Sequence, residues 1–165
     1  MLTFALRVEY TAFVINTNLV KPGEIKGYRD LLDPKWKGKI IMYDVTMGTG
    51  PGSSWVQPVG TYIMGWDYLR KLAGQEPVLT RDARLLMEWL AQGKYAVSLA
   101  GRSEMLKVFS DIGAPVKGLL PEEGSYATPG PSVISLIKDA PHPNAAKLFI
   151  NWLLSKEGQT VWVAT

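Results

Sequence analysis

Alternation of apolar and polar positions is strongest at the start of the chain. In TFALRVEYTAFVIN (residues 3–16), Leu6, Val8, Tyr10, Ala12 and Val14 share one parity among β-branched and aromatic residues. That pattern predicts one long strand or two joined strands. GKIIMYD (38–44) is a short, nearly continuous apolar run, as in a strand buried within a parallel sheet. In TRDARLLMEWLAQG (80–93) the period changes: Ala83, Leu86, Met87 and Leu90 fall at i, i+3, i+4 and i+7. This predicts an amphipathic helix with Thr80 as N-cap and Gly93 just past its end. Residues 53–64 and 66–73 also read as helical, interrupted at Pro58 and Gly65, and YRDLLDP as one helical turn stopped by Pro34. PVL (77–79) and YAVSLA (95–100) read as strands, RSEMLKVFSDIG as a helix ending at Gly113, and PVKGLLP and PSVISLIKD as strands around the loop EEGSYATPG. Two helices close the chain: PNAAKLFINWLLS, with Pro143 in its first turn and Ala145, Leu148, Phe149 and Trp152 on one face, then KEGQTVWVA. Strands alternating with helices through short connections indicate an α/β layered fold.

Composition narrows the class. The 165 residues are 47% hydrophobic and 20% charged, the profile of a globular chain rather than a disordered one. The net charge of +3 is spread thinly, and the densest basic stretch, KPGEIKGYRDLLDPKWKGK, carries Glu24, Asp30 and Asp33 within it. With no basic stripe interleaved with aromatics, nucleic acid is not an expected partner. There is no cysteine, which excludes disulfide, zinc-thiolate and thiol-nucleophile chemistry. No run of 18 apolar residues exists, and the first residues, with Arg7 and Glu9 inside the apolar run, do not read as a signal peptide. Apolar residues run on through VWVAT without a cap, and a strand begins at once at Met1. Both ends are therefore expected to be cut from a larger architecture.

Catalytic constellations are poor. The single histidine, His142, sits between two prolines at a helix entry, and a lone histidine there reads as a surface or capping residue. Neither Cys-His catalysis nor a His-rich metal site can form within the chain, so no enzyme, no metal site and no cofactor is expected. GTGPGSS lacks the Gly-Lys-Ser/Thr ending of a P-loop, and Glu122 and Glu123 read as solvated.

The loop in MYDVTMGTGPGSSWV (42–56) is richer. A strand empties into glycines and hydroxyl side chains just before a helix, where backbone amides are unpaired and the helix dipole is positive. Thr46, Thr49, Gly50, Ser53 and Ser54 could hold an anion or polar solute there, or the serines could merely cap the helix. A second strand-to-helix corner holds Gly101, Arg102 and Ser103, whose arginine fork suits carboxylate or phosphate. A third loop, GSYATPG, presents Tyr126. Three such loops in one α/β domain suggest a shared cleft.

FVINTNLVKP…YRDLLDPKWKGKIIMYDV resembles a stretch of the bacterial extracellular solute-binding proteins of the ferric-iron-type ABC importer class. LMEWLAQGKYAVSLAGRSE resembles their Gly-anchored helix–strand unit, and APHPNAAKLFINWLLSKEGQ the segment after their second interdomain crossover. The resemblance covers nearly the whole chain in the family's order. It implies a type II periplasmic-binding-protein-like lobe, an incomplete mixed β-sheet flanked by helices, from a two-lobed protein. Residues from about 17 to 127 would form the second lobe, 5–16 and 131–138 the crossover strands, and 140–165 helices of the first lobe. The family's cleft regions fall on Thr46–Ser54, Gly101–Ser103 and Ser125–Thr128, with Tyr10 on the crossover as a further ligand-binding candidate. The implied function is delivery of a small solute to ABC importer permease subunits, in a periplasmic or extracellular setting. Ferric-binding members use adjacent tyrosines, whereas Tyr126 stands alone, so organic anions, phosphonates, polyamines, thiamine-like compounds and chelated metal stay open. An enzyme or an effector-sensing domain on the same scaffold is the alternative. Apolar faces carrying Phe149, Trp152 and Trp162 are expected to be exposed and to favour a homodimer.

Overall fold

The computed structural model describes residues 3–5, 13–48, 50–99, 103–124 and 133–164. It divides into two units, residues 9–126 and residues 1–8 with 127–165.

The larger unit is built on a five-stranded mixed sheet in the order β4-β3-β5-β2-β6. Its strands are β2 (Phe13–Asn16), β3 (Ile40–Tyr43), β4 (Val78–Thr80), β5 (Val97–Leu99) and β6 (Val116–Gly118). β3 runs parallel to both β4 and β5, while β2 is antiparallel to β5 and β6. Successive strand residues point to opposite faces, and the two faces gather different cores. Phe13, Ile15, Ile40, Met42, Val97 and Leu99 join Tyr28, Leu31, Trp55, Val59, Tyr68 and Leu72 on one side. Val14 and Ile41 join Leu86, Met87, Leu90 and Val116 on the other. Burial on both faces explains why β3 reads as an unbroken apolar run rather than an alternating one.

The helices follow their sequence signals with instructive departures. α3 (Ala83–Ala91) buries Leu86, Met87 and Leu90 as its period predicts. Its N-cap, however, is Asp82, whose carboxylate accepts from the Arg84 and Leu85 amides, while Thr80 stays in β4. A carboxylate one residue from the first turn meets the helix dipole better than the hydroxyl of Thr80, which sits two residues further back and accepts from the Asp82 amide at 3.2 Å. The other end of α3 is fastened by the buried Asn16, whose Nδ2 donates to Leu90 O at 2.7 Å. α1 (Pro51–Trp55) does not break at Pro58. The proline supplies no amide, and the helix widens to π geometry over Val56–Met64 before ending at Gly65, with φ of 84°. α2 (Trp66–Gly74) and α4 (Ser103–Asp111) complete this unit.

Residues 28–32 and 34–36 form short 3-10 turns. The first is anchored from afar: Glu123 accepts from the amides of Tyr28 at 2.9 Å and Arg29 at 3.1 Å. Glu123 is thus a capping carboxylate, not the freely solvated one its Gly/Ser surroundings suggest, because a distant chain segment presents amides to it. Tyr28 itself is fully buried, edge-on to Phe13 and Trp55, and burial pushes its hydroxyl up to about 12.

In the smaller unit β1 (Thr3–Ala5) pairs antiparallel with β7 (Val133–Ser135), and α5 (Pro143–Leu153) is followed by α6 (Lys156–Ala164). Of the one long strand or two joined strands expected over residues 3–16, the described parts are β1 and β2, and residues 6–12 lie outside the described set. On α5 the buried residues are Ile150 and Leu153. The stripe read from sequence, Ala145, Leu148, Phe149 and Trp152, lies exposed. α5 carries two apolar stripes, and periodicity reveals a stripe without saying which one meets a neighbour. Phe149, Trp152 and Trp162 are exposed as expected.

Candidate functional site

Sheet topology sets the place. β3, β4 and β5 are parallel, and β6, antiparallel to β2 as is β5, shares their direction. Four strands therefore deliver their carboxyl ends to one edge, with Tyr43 beside Thr80 and Met42 beside Leu99. In open α/β sheets that edge is where ligands bind. The connections after β3 and after β5, each leading into a helix, both start there.

The connection after β3 is organised by a residue that sequence reasoning passed over. The Asp44 amide donates to Thr80 O at 2.9 Å, extending the β3–β4 ladder by one step. The Asp44 side chain is buried, and both its oxygens are engaged. Oδ1 accepts from the Thr46 amide at 2.9 Å and from the Thr46 hydroxyl at 2.6 Å. Oδ2 accepts from Arg81 Nε at 2.7 Å. The Thr46 hydroxyl foremost, then Arg81 and the Thr46 amide, hold this carboxyl down at about 2. A signal was present: Asp-Val-Thr after a strand fits an Asx turn, in which the carboxylate binds a backbone amide two residues on.

Linkage gives this corner a pH signature. A carboxyl depressed in the folded state stabilises the fold above its ordinary value near 4, and the contribution is lost as pH falls through about 2. Asp44→Asn should therefore lower the urea midpoint at pH 6, with the gap to the unaltered protein closing as pH approaches 2. A gap that persists unchanged in acid would show that charge is not what Asp44 contributes.

Beyond the hook, the chain turns at Gly50 (φ 101°) into α1, with Pro51 in its first turn. Only glycine adopts that backbone readily. Pro51 has no N–H, and the Ser54 amide is already taken by Gly50 O at 3.1 Å. The Gly52 and Ser53 amides remain as the unpaired first-turn donors among the described residues, Gly52 itself being buried. The Ser53 hydroxyl turns back to Gly50 O at 3.0 Å, so it braces the turn. The glycine at 52 is required by space: a Cβ there would meet the backbone carbonyls of Asp44 and Tyr43.

Of the sequence candidates, Thr46, Gly50, Ser53 and Ser54 are thus brought together on one connection at the carboxyl end of β3. Ser103 opens α4, after β5. Tyr10, Thr49, Arg102 and Tyr126 lie outside the described residues. Asp44 and Arg81, 37 residues apart, are the additions made by the structure.

Comparison with known proteins agrees with this architecture. A family profile described as "Bacterial extracellular solute-binding protein" matches residues 7–165. A curated relative from Salmonella typhimurium, named as a putative 2-aminoethylphosphonate-binding periplasmic protein, is 30% identical over 167 residues, covering 92% of this chain and 46% of the relative. The chain spans less than half the length of the curated relatives it matches. The solved periplasmic binding protein AfuA from Actinobacillus pleuropneumoniae, with fructose 6-phosphate bound, aligns with a TM-score of 0.60 at 27% identity, over 97% of this chain and 51% of that one. A structure titled as a two-component system protein mediating signal transduction aligns at 0.68 with 26% identity, over 98% and 53%. No helix among the described residues is long and apolar enough to cross a membrane. The fold is that of type II periplasmic binding proteins, and the chain belongs to the bacterial extracellular solute-binding protein family.

Proposed function

We propose that this protein binds a small anionic solute at the carboxyl edge of its mixed sheet and delivers it to the permease of an ABC importer, without chemical change. The observation that carries the reading is the convergence of parallel strand ends on a connection braced by Asp44, with the first-turn amides of Gly52 and Ser53 unpaired among the described residues. Thr46, Gly50, Ser53 and Ser54 form the first half of the proposed contact set. Tyr10, Thr49, Arg102, Ser103 and Tyr126 form the second, and the setting proposed is periplasmic. Names of relatives support the solute class: a phosphonate in one and a sugar phosphate in another, both carrying a tetrahedral phosphorus oxyanion. Such a group suits backbone amides and hydroxyls at a strand-to-helix turn.

Titration calorimetry of the purified protein with 2-aminoethylphosphonate, fructose 6-phosphate, ferric citrate and glucose tests the reading. One of the phosphorus oxyanions should bind, glucose should not, and Arg102→Ala should weaken binding about tenfold with the fold intact. Binding of glucose alone, or turnover of a bound compound, would overturn it. The signal-transduction neighbour favours a second reading, in which the bound solute is sensed rather than carried. Loss of labelled-solute uptake on gene deletion supports delivery. Intact uptake with a lost transcriptional response supports sensing.

A further inference from the structure

We infer that Arg81 is a recognition residue for the oxyanion of the solute, its guanidinium set in place by Asp44. The inference rests on the anionic-solute reading and deepens it.

Arg81 follows directly on β4, and its neighbour across the β3–β4 ladder is the segment that begins the glycine- and threonine-rich connection. It therefore stands at the edge where the parallel strands end. A guanidinium carries five N–H donors in a planar fork. Asp44 Oδ2 takes the Nε donor at 2.7 Å. Among the described residues the two Nη groups meet no acceptor, and the side chain is 70% exposed. One edge of the fork is tied down and the edge suited to bidentate contact with a phosphorus or carboxyl oxyanion is open.

The other arginine and lysine pairs of this unit set the contrast. Arg70–Asp67, Arg84–Glu88 and Lys107–Asp111 each link neighbours on a single helix, while Lys35 with Glu24 and Asp33, and Lys37 with Glu76, join turn residues; in every one the acid is a quarter or more exposed. Such pairs contribute little. The acid that holds Arg81 is only 10% exposed, comes from a different strand, and is shared with both donors of Thr46. An almost buried carboxylate that aligns a threonine and an arginine at a sheet edge does more than decorate a surface. It fixes a cation at the strand end whose backbone carbonyls also seat Gly52 at the start of α1. The charge of Asp44 is already matched by Arg81, so an incoming anion meets donors on the outer side of the pair.

The test measures affinity for 2-aminoethylphosphonate and inorganic phosphate by calorimetry in the unaltered protein, Arg81→Gln, Arg81→Lys and Arg84→Gln, with urea midpoints in parallel. Arg81→Gln should lose at least tenfold in affinity while remaining folded by circular dichroism, with its urea midpoint lowered because the pair with Asp44 is lost. Arg81→Lys should recover part of the loss, and Arg84→Gln should bind as the unaltered protein does. Unchanged affinity in Arg81→Gln, while the unaltered protein binds, overturns this inference and leaves the proposed function standing. An equal loss in Arg84→Gln overturns it too, reducing the effect to net charge. Failure of the unaltered protein to bind either anion overturns both readings together.

Discussion

Trp55→Ala should lower folding stability by about 3–5 kcal/mol, read as a shift of the urea midpoint by circular dichroism. Trp55 ends the regular part of α1 and is fully buried among Tyr28, Val59, Tyr68 and Leu72. Its ring lies 5.8 Å from that of Tyr28 in an edge-on arrangement, and Tyr28 stands 5.7 Å from Phe13 in the same manner. Removing the indole leaves a large void between the sheet and two helices that the π segment already holds at irregular pitch. The neighbours are ring systems and branched side chains, which cannot collapse to fill it. Domains of this size hold only about 5–15 kcal/mol in total, so a sizeable part of the population should unfold near body temperature. Trp55→Phe is the control. The indole N–H has no acceptor among the described residues, so Phe forfeits volume without stranding a partner, and the cost should fall below half that of Ala. A loss under 1 kcal/mol for Trp55→Ala would mean that this cluster does not hold α1 to the sheet.

How far the sequence speaks for itself can be judged from single elements. β3 was legible because burial on both faces leaves an apolar run bounded by lysine and aspartate. α3 was legible because its apolar period is strict. Both signals are local. The β3-to-α1 connection could likewise be found from its glycines and hydroxyls, since turn chemistry is written in consecutive residues. What organises that connection could not. The Asp44–Arg81 pair depends on β3 and β4 lying in parallel register, and no pattern within residues 38–56 specifies which residue will stand beside Asp44. Glu123 capping the turn at Tyr28 is the same problem across 95 positions. Pro58 misleads in another way. A proline within a helical stretch normally ends or kinks it, yet packing of Val59 into the core keeps this helix running in a wider form. The buried side of α5 is not legible because two apolar stripes compete and only tertiary contact chooses between them.

Gly52→Ala should cost more in binding than any loss of a loop hydroxyl. A Cβ at position 52 would press into the Asp44 carbonyl oxygen and stand 2.8 Å from that of Tyr43. Both are backbone atoms at the end of a buried strand whose next amide, that of Asp44, is tied to Thr80 O, so they cannot yield cheaply. The first turn of α1 must lift instead, carrying the Gly52 and Ser53 amides away from the Asp44 hook. Affinity for 2-aminoethylphosphonate should fall by at least tenfold, and stability by about 1–3 kcal/mol, the range for overpacking. Gly50→Ala makes the useful comparison. There the difficulty is the positive φ, not space, because the nearest side-chain atom to a new Cβ is 3.5 Å away on Tyr43. The strain should cost about 1 kcal/mol, with a smaller change in affinity. If the anion is gripped by amides seated on the end of β3, the order of damage is Gly52→Ala above Gly50→Ala. Equal binding by Gly52→Ala and the unaltered protein would separate the ligand from this turn, because nothing else about the turn could survive the displaced helix start unchanged.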